Sequence, residues 1–265
     1  MKNVEFFVGN QKIVGDLHLP PPPTNRCGSL PEGSGESLPC VTTSHGFTAN
    51  RKKGKWPQIA QRFSSEGIAV FNFDHRGALG GESDGKFEDT TLTKRIEDLK
   101  AAIDSLTRFE ELDSNRIGLL GSSLGGRTVL ALPKDEKIKA IVLLAAPINF
   151  PSFPIAVRKS LEEKGYYQSP DGNKIKKEFY EDFERHDFQE EAKKVNCPLL
   201  IIHGQWDEQV PCYQAEILYE SAGSQIKELK IIKGANHAFT DPEKLNEVLA
   251  LSLNWFKKYL FKKEV

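Results

Sequence analysis

Apolar positions along this chain alternate between two spacings, one of period two and one close to 3.6. Residues 4–19 alternate apolar and polar about Gly9-Asn10, which predicts an antiparallel hairpin at the front. Val41-Thr-Thr-Ser-His45-Gly46-Phe47 reads as a strand ending in a glycine turn. Trp56, Ile59 and Phe63 then share one helical face up to a stop at Gly67. Ile68 to Asp74 is the next apolar run, followed by a glycine-rich loop through Gly85. Ile96, Leu99, Ile103 and Leu106 lie on one side of a helix over 93–108, and strands follow at 116–120 and 140–146. The continuous apolar character of Ala140 to Ala146 fits a strand covered on both faces.

Residues 147–190 break the rhythm with Pro147, Pro151 and Pro154, a charged helix near 155–164 and a hairpin at Tyr166 to Asn173. Phe150, Phe153, Tyr166, Tyr167, Phe179 and Phe183 recur there, and the segment reads as a small cap inserted over the sheet. Alternation resumes with Pro198-Leu-Leu-Ile-Ile-His203-Gly204, a helix near 212–221, the strand Glu228 to Ile232 and a final amphipathic helix. Strands interleaved with helices imply an α/β fold: a mostly parallel central sheet with helices on both faces. The expected organisation is a single domain over 1–265, with the cap at about 147–190 and a Pro/Gly-rich loop over 20–39.

A chain of 265 residues buries enough surface to need neither disulfides nor a metal. Its formal net charge of −1 gives no attraction to nucleic acid or to an anionic membrane. The four cysteines, Cys27, Cys40, Cys197 and Cys212, form no C-x-x-C pair, so no metal site is expected. The charged, alternating N-terminus is unlike a signal peptide, and no run of eighteen apolar residues occurs. The expectation is a soluble, cytoplasmic protein with neither nucleic acid nor membrane as a partner. Its oligomeric state stays open, a homodimer included.

The chemistry centres on Gly121-Ser-Ser-Leu-Gly125, placed between a strand and a helix. A serine on so tight a turn needs glycine on both sides for strand and helix to approach. The two glycines bracket Ser123 as the candidate nucleophile and leave Ser122 as the variable position. Ligands bind at the C-terminal ends of strands in such a sheet. Two later strand ends carry His203-Gly-Gln-Trp-Asp207 and Gly234-Ala-Asn-His237, giving the chain order Ser123, Asp207, His237. A serine hydroxyl needs a base, which His237 supplies; Asp207 would fix the imidazole tautomer, with Glu208 as an adjacent rival acid. The backbone N–H groups of Leu124 and Phe47 are the candidate oxyanion donors. His45, His75 and His203 also sit at strand ends, where each could be structural.

Four motifs together resemble the α/β-hydrolase superfamily: His45-Gly-Phe47, Asp74-His-Arg-Gly77 through Gly81-Glu-Ser83, Gly121 to Gly125, and His203 to Asp207 with Asn236-His237-Ala-Phe239. Within it the chain is similar, from about residue 39 onward, to short-capped serine esterases of the cinnamoyl/feruloyl-esterase and serine-aminopeptidase-like kind. The resemblance implies hydrolysis of a small-molecule carboxylic ester through an acyl-enzyme, without metal or organic cofactor. It makes Asp74-x-Arg76-Gly77 a structural loop beside the site, though Ala78-Leu79-Gly80 departs from the usual continuation. Peptidase or thioesterase activity would use the same three residues. A non-catalytic binding protein on this fold would be expected to lack one of them, and a membrane-associated lipase would want an apolar lid. The cap instead carries Lys159, Glu162, Glu163, Lys164, Lys174, Lys176 and Lys177.

Overall fold

Period-two alternation along each central strand sends neighbouring side chains into two separate cores. The computed structural model describes residues 1–22, 37–132, 134–149 and 155–261. Its strands are β1 (Lys2–Val8), β2 (Gln11–His18), β3 (Leu38–Ser44), β4 (Ala69–Phe73), β5 (Leu112–Ser122), β6 (Ile138–Leu144), β7 (Tyr166–Gln168), β8 (Lys174–Lys176), β9 (Leu199–Gly204) and β10 (Lys227–Ile232). Strands β7 and β8 pair with each other alone, while the other eight form one sheet in the order β1-β2-β4-β3-β5-β6-β9-β10. The β1–β2 and β2–β4 pairings are antiparallel, and every pairing from β4 to β10 is parallel.

The helices are α1 (Trp56–Ser64), α2 (Leu92–Ser105), α3 (Leu124–Leu130), α4 (Ile155–Lys164), α5 (Lys177–Glu184), α6 (Phe188–Lys193), α7 (Tyr213–Ser221) and α8 (Pro242–Leu260). Leu120, Val142, Leu144, Leu200 and Ile202 face α1 and α8 on one side of the sheet. Leu119, Ile141, Leu143, Leu199 and Ile201 belong to the other core, with α2, α3, α7 and the cap. In both cores each fully buried Leu, Ile or Phe contributes roughly 1.5–3 kcal/mol. Among the described residues no helix is long and apolar enough to cross a membrane.

Most predicted elements are present within a few residues of their expected limits. The Pro/Gly-rich loop expected over 20–39 ends earlier, because Leu38 and Pro39 belong to β3. Proline has no N–H to give a ladder, and the β3–β5 register shifts between Leu38 and Cys40. The rest of that loop, residues 23–36, lies outside the described residues, as do Phe150, Phe153 and their neighbours at the start of the cap. The cap also contains two helices that the aromatic spacing did not separate, α5 and α6. Asp187 caps α6, its side chain accepting from Glu190 N–H at 3.1 Å.

Polar contacts fix the cap to the body at one edge. Asp182 of α5 accepts from Thr93 N–H at 2.9 Å and Thr93 Oγ1 at 2.6 Å, in the first turn of α2. Lys176 of β8 pairs with Asp89 at 2.6 Å. A buried carboxylate at a helix N-terminus meets free amides there, so this edge is the more firmly tied one.

Helix α8 crosses β5 at Gly118, where a Cβ would lie 2.6 Å from the Phe256 ring. Gly118→Ala should therefore cost about 1–3 kcal/mol by overpacking. Phe256→Leu in the same molecule should recover part of that loss, because the ring is what the new methyl meets. Urea unfolding of the single and double variants measures this, and simple addition of the two losses would contradict the packing described.

Candidate active site

Three glycines make the turn at Ser123 physically attainable. A Cβ on Gly121 would lie 2.5 Å from Gly125 O, one on Gly125 would lie 1.9 Å from Ser44 O, and one on Gly126 would lie 2.6 Å from Ala146 Cβ. Helix α3 thus lies against β3 and the β6 end at distances no side chain would allow. Ser122 is still part of β5, opposite Leu144 and buried. Ser123 is the N-cap of α3 at φ 53°, ψ −123°, a conformation non-glycine residues enter only under strain. Its N–H is anchored on Leu144 O at 2.8 Å.

The His45-Gly-Phe47 turn lies directly beside this serine. A Cβ on Gly46 would stand 3.5 Å from Ser123 Cβ. His45 Nδ1 donates to Gly46 O at 2.8 Å, while its Nε2 accepts from His75 N–H at 3.1 Å. Burial, reinforced by Arg95 and His75, holds this imidazole well below its ordinary pKa and keeps it neutral. Both ring nitrogens are therefore occupied in shaping the turn. Among the described residues, neither the Phe47 N–H nor the Leu124 N–H has a hydrogen-bond partner.

Asp207 and His237 come together because their loops are stitched. Trp206 N–H donates to Ala235 O at 2.9 Å and Gln205 N–H to Ile232 O at 3.0 Å. Gly204 permits this, since a Cβ there would lie 2.5 Å from Ala235 O. Asn236 closes the second loop through Thr240, accepting from its N–H at 3.0 Å and donating to its hydroxyl at 2.7 Å. His237 Nδ1 then donates to Asp207 Oδ2 at 2.7 Å. Glu208, the rival acid, is exposed.

The Asp207 carboxylate is saturated with donors. Oδ1 accepts from Gln209 N–H at 2.9 Å and Val210 N–H at 2.8 Å. Oδ2 also faces His203 Nε2 at 3.1 Å, whose other acceptor is Val210 O at 2.8 Å. Burial pushes the carboxyl pKa up, but the bonds from His203, His237 and Val210 outweigh it and hold Asp207 well below the usual range. His203, which the sequence leaves as a structural strand-end residue, thus supports the acid. Its i,i+4 spacing from Asp207 was the available signal.

Ser123, Phe47 and Leu124 share the wall of a 220 Å³ cavity, lined otherwise by apolar cap residues such as Phe179 and Phe183 and by Gln209 and Val210. Val210 therefore links this cavity to the Asp207–His237 pair. No hydrogen bond joins Ser123 Oγ to His237 among the described residues. Asp74 is fully buried and structural: it accepts from Arg51 N–H at 2.8 Å and Glu82 N–H at 2.9 Å. Arg76 pairs with Asp98 at 2.5 Å and Glu97 at 2.7 Å. Among the described residues no group of three His, Cys, Asp or Glu is placed to hold a metal ion.

The profile described as the prolyl oligopeptidase family (Peptidase_S9) matches residues 56–263. An uncharacterized 31.7 kDa protein of the traX–finO intergenic region of Escherichia coli is 30% identical over 276 aligned positions, spanning 87% of this chain and 94% of that protein. The human mitochondrial palmitoyl-protein thioesterase ABHD10 is 31% identical over 166 positions, covering 58% of this chain and 52% of that protein. Among solved structures, Est1E from Butyrivibrio proteoclasticus with ferulic acid bound superposes with a TM-score of 0.81 at 21% identity, covering 98% of this chain and 100% of that one. Mouse alpha/beta hydrolase domain-containing protein 10 gives a TM-score of 0.77 at 21% identity, covering 97% and 99%. At such identities the structural likeness carries the fold, which is that of the α/β hydrolases.

Because the donors hold Asp207 ionised, its contribution to stability is present above the unfolded carboxyl pKa of about 3.9 and is lost as pH falls through the lower folded value. The stability advantage of wild type over Asp207→Asn should shrink as pH falls below about pH 4. Urea unfolding from pH 3 to pH 8 reads it, and a gap that stays the same below about pH 4 would contradict the donor set.

Proposed function

The chain belongs to the prolyl oligopeptidase family, and from that premise we propose that it cleaves short-chain or aryl carboxylic esters through an acyl-enzyme on Ser123. It is an α/β hydrolase of the esterase, thioesterase or peptidase type. The observation that carries it is the conjunction at one sheet edge: a strained serine, two unpaired amides and a histidine whose Nδ1 is committed to a buried carboxylate.

In this reading Ser123 Oγ attacks the ester carbonyl and forms the Oγ–C bond as His237 Nε2 takes the hydroxyl proton. Asp207 keeps the proton on Nδ1, so the Nε2 lone pair is available, and it offsets the imidazolium charge. Phe47 and Leu124 N–H groups receive the oxyanion, each such donor being worth roughly 2.7–4 kcal/mol. The alcohol leaves with the proton from His237, and a water molecule then repeats the sequence to release the acid. A serine–histidine contact that forms only with substrate bound is ordinary for such sites.

The cavity supports the substrate class. At 220 Å³ it is smaller than the roughly 300–1,000 Å³ usual for whole ligands, so it suits one arm of an ester. Its aromatic walls favour a short acyl chain or a single aryl ring. The similarity to a palmitoyl-protein thioesterase supports a second reading, a thioester in place of the ester, on the same serine.

Ser123→Ala should lower hydrolysis of p-nitrophenyl acetate, butyrate and methyl ferulate by on the order of 10⁶, to background, with the fold intact. Ser122→Ala should retain substantial activity; loss in this variant and not in Ser123→Ala would reassign the nucleophile. Acyl-CoA thioesters and aminoacyl anilides in the same assay distinguish ester from thioester and peptide cleavage.

A further inference from the structure

Helix α3 carries, one turn after the serine, a charge that nothing in the reaction uses. Arg127 N–H bonds to Ser123 O at 3.2 Å, and the side chain is fully buried. None of its three guanidinium nitrogens has a hydrogen-bond partner among the described residues. Burial pulls its pKa well down, opposed by the charge of Glu191 on α6. Glu191 is itself engaged elsewhere, with one oxygen 2.7 Å from His186 Nδ1 and the other unpartnered. Leaving a charge buried without a bonded partner is unfavourable, and an apolar side chain of that volume would avoid the penalty.

What the guanidinium does touch is aromatic. Its Cζ lies over the Phe188 ring of α6 and 5.5 Å from the centre of the Phe183 ring of α5. Phe183 and Phe188 are 5.0 Å apart, Phe183 and Phe179 5.7 Å, and Phe179 and Phe47 4.8 Å. One continuous row of rings therefore runs from the oxyanion loop, along the wall of the Ser123 cavity, to Arg127. Phe179 and Phe183 line that cavity; Phe188 and Arg127 stand behind them. A planar, weakly hydrated guanidinium stacks on rings as a rigid slab, which a flexible chain would not do.

We infer that Arg127 is a positioning residue that sets the depth of the Ser123 cavity, and so the length of the substrate arm it accepts, by backing Phe183 through Phe188. The inference rests on Ser123 being the nucleophile. It separates α3 into two functions: its first residues present the serine, and its fourth holds the cap wall.

The test uses the full chain and alkyl fluorophosphonates with a two-carbon or an eight-carbon arm, whose labelling rates at Ser123 read cavity length whichever acyl compound is the substrate. Arg127→Ala should raise the long-to-short rate ratio about tenfold, since a change of a few methylenes in an apolar pocket is worth that much or more. Phe188→Ala removes the same support from the cap side and should raise the ratio likewise, which covers the case that Arg127→Ala does not fold. The double variant should exceed neither single one by much, because both act through one wall. A ratio within twofold of wild type in the folded variants, or equal loss of labelling for both arms, overturns the inference while the serine-hydrolase reading stands. A wild type that neither labels nor hydrolyses overturns both.

Discussion

The missing Cβ of Gly125 is the constraint from which the site follows. Its place would be filled by Ser44 O at 1.9 Å, so α3 can lie against the end of β3 only where there is no side chain. That contact sets the height at which Ser123 leaves β5 and the direction in which Leu124 N–H points. It also places the His45-Gly-Phe47 turn against Ser123, since the same stretch of β3 supplies both the contact and the turn. A serine, a candidate nucleophile, and an amide from another loop are thus positioned by one backbone approach. The Asp207–His237 pair is built separately, by the close passage of the β9 and β10 loops at Gly204, and it reaches the cavity through Val210.

Much of this was legible in the sequence, for physical reasons that differ by element. The central strands could be read because their apolar residues serve two cores, and a run such as Ile141-Val-Leu-Leu144 has no other stable use. Ser123 could be preferred over Ser122 because the flanking glycines are spaced for a turn that only one of them can centre. Asp207 and Glu208 differ little as sequence; burial decides between them, and burial depends on where the loop folds. His203 was visible four residues before Asp207, but its approach to that carboxylate depends on how the chain turns beyond Gly204, which spacing alone does not give. The cap was the least legible segment. Its helices α5 and α6 are short, and their apolar residues join the core that α2, α3 and α7 form on one face of the sheet. Arg127 looks in sequence like an ordinary helical surface residue, and only the packing of α6 over it reveals a buried charge.

The cap is held unevenly. At the α2 edge, Asp182 and Lys176 meet partners that satisfy them; over α3, a cation is buried against rings with its donors unmet. The first kind of contact leaves no polar group unmet, because both members exchange water for an equivalent bond at a modest net gain. The second is held by stacking and apolar burial against a desolvation cost. The body of the molecule therefore fixes where the cap is attached, and the rings fix how closely it closes over the serine.

Ser123, Ala145 and Phe239 are the non-glycine residues with positive φ among the described residues, and all three follow the C-terminal end of a sheet strand. Each such conformation costs on the order of 1–3 kcal/mol in a chain whose whole stability is small. The protein is consequently less stable than its own architecture permits, and the deficit is concentrated at one edge. At Ser123 glycine would relieve the strain and remove the hydroxyl, whereas at Phe239 it would empty a fully buried place in the core and lose more than the strain it relieved. Improvement of this protein's heat tolerance should thus be sought at the opposite ends of the strands, where none of the described residues other than glycine has a positive φ.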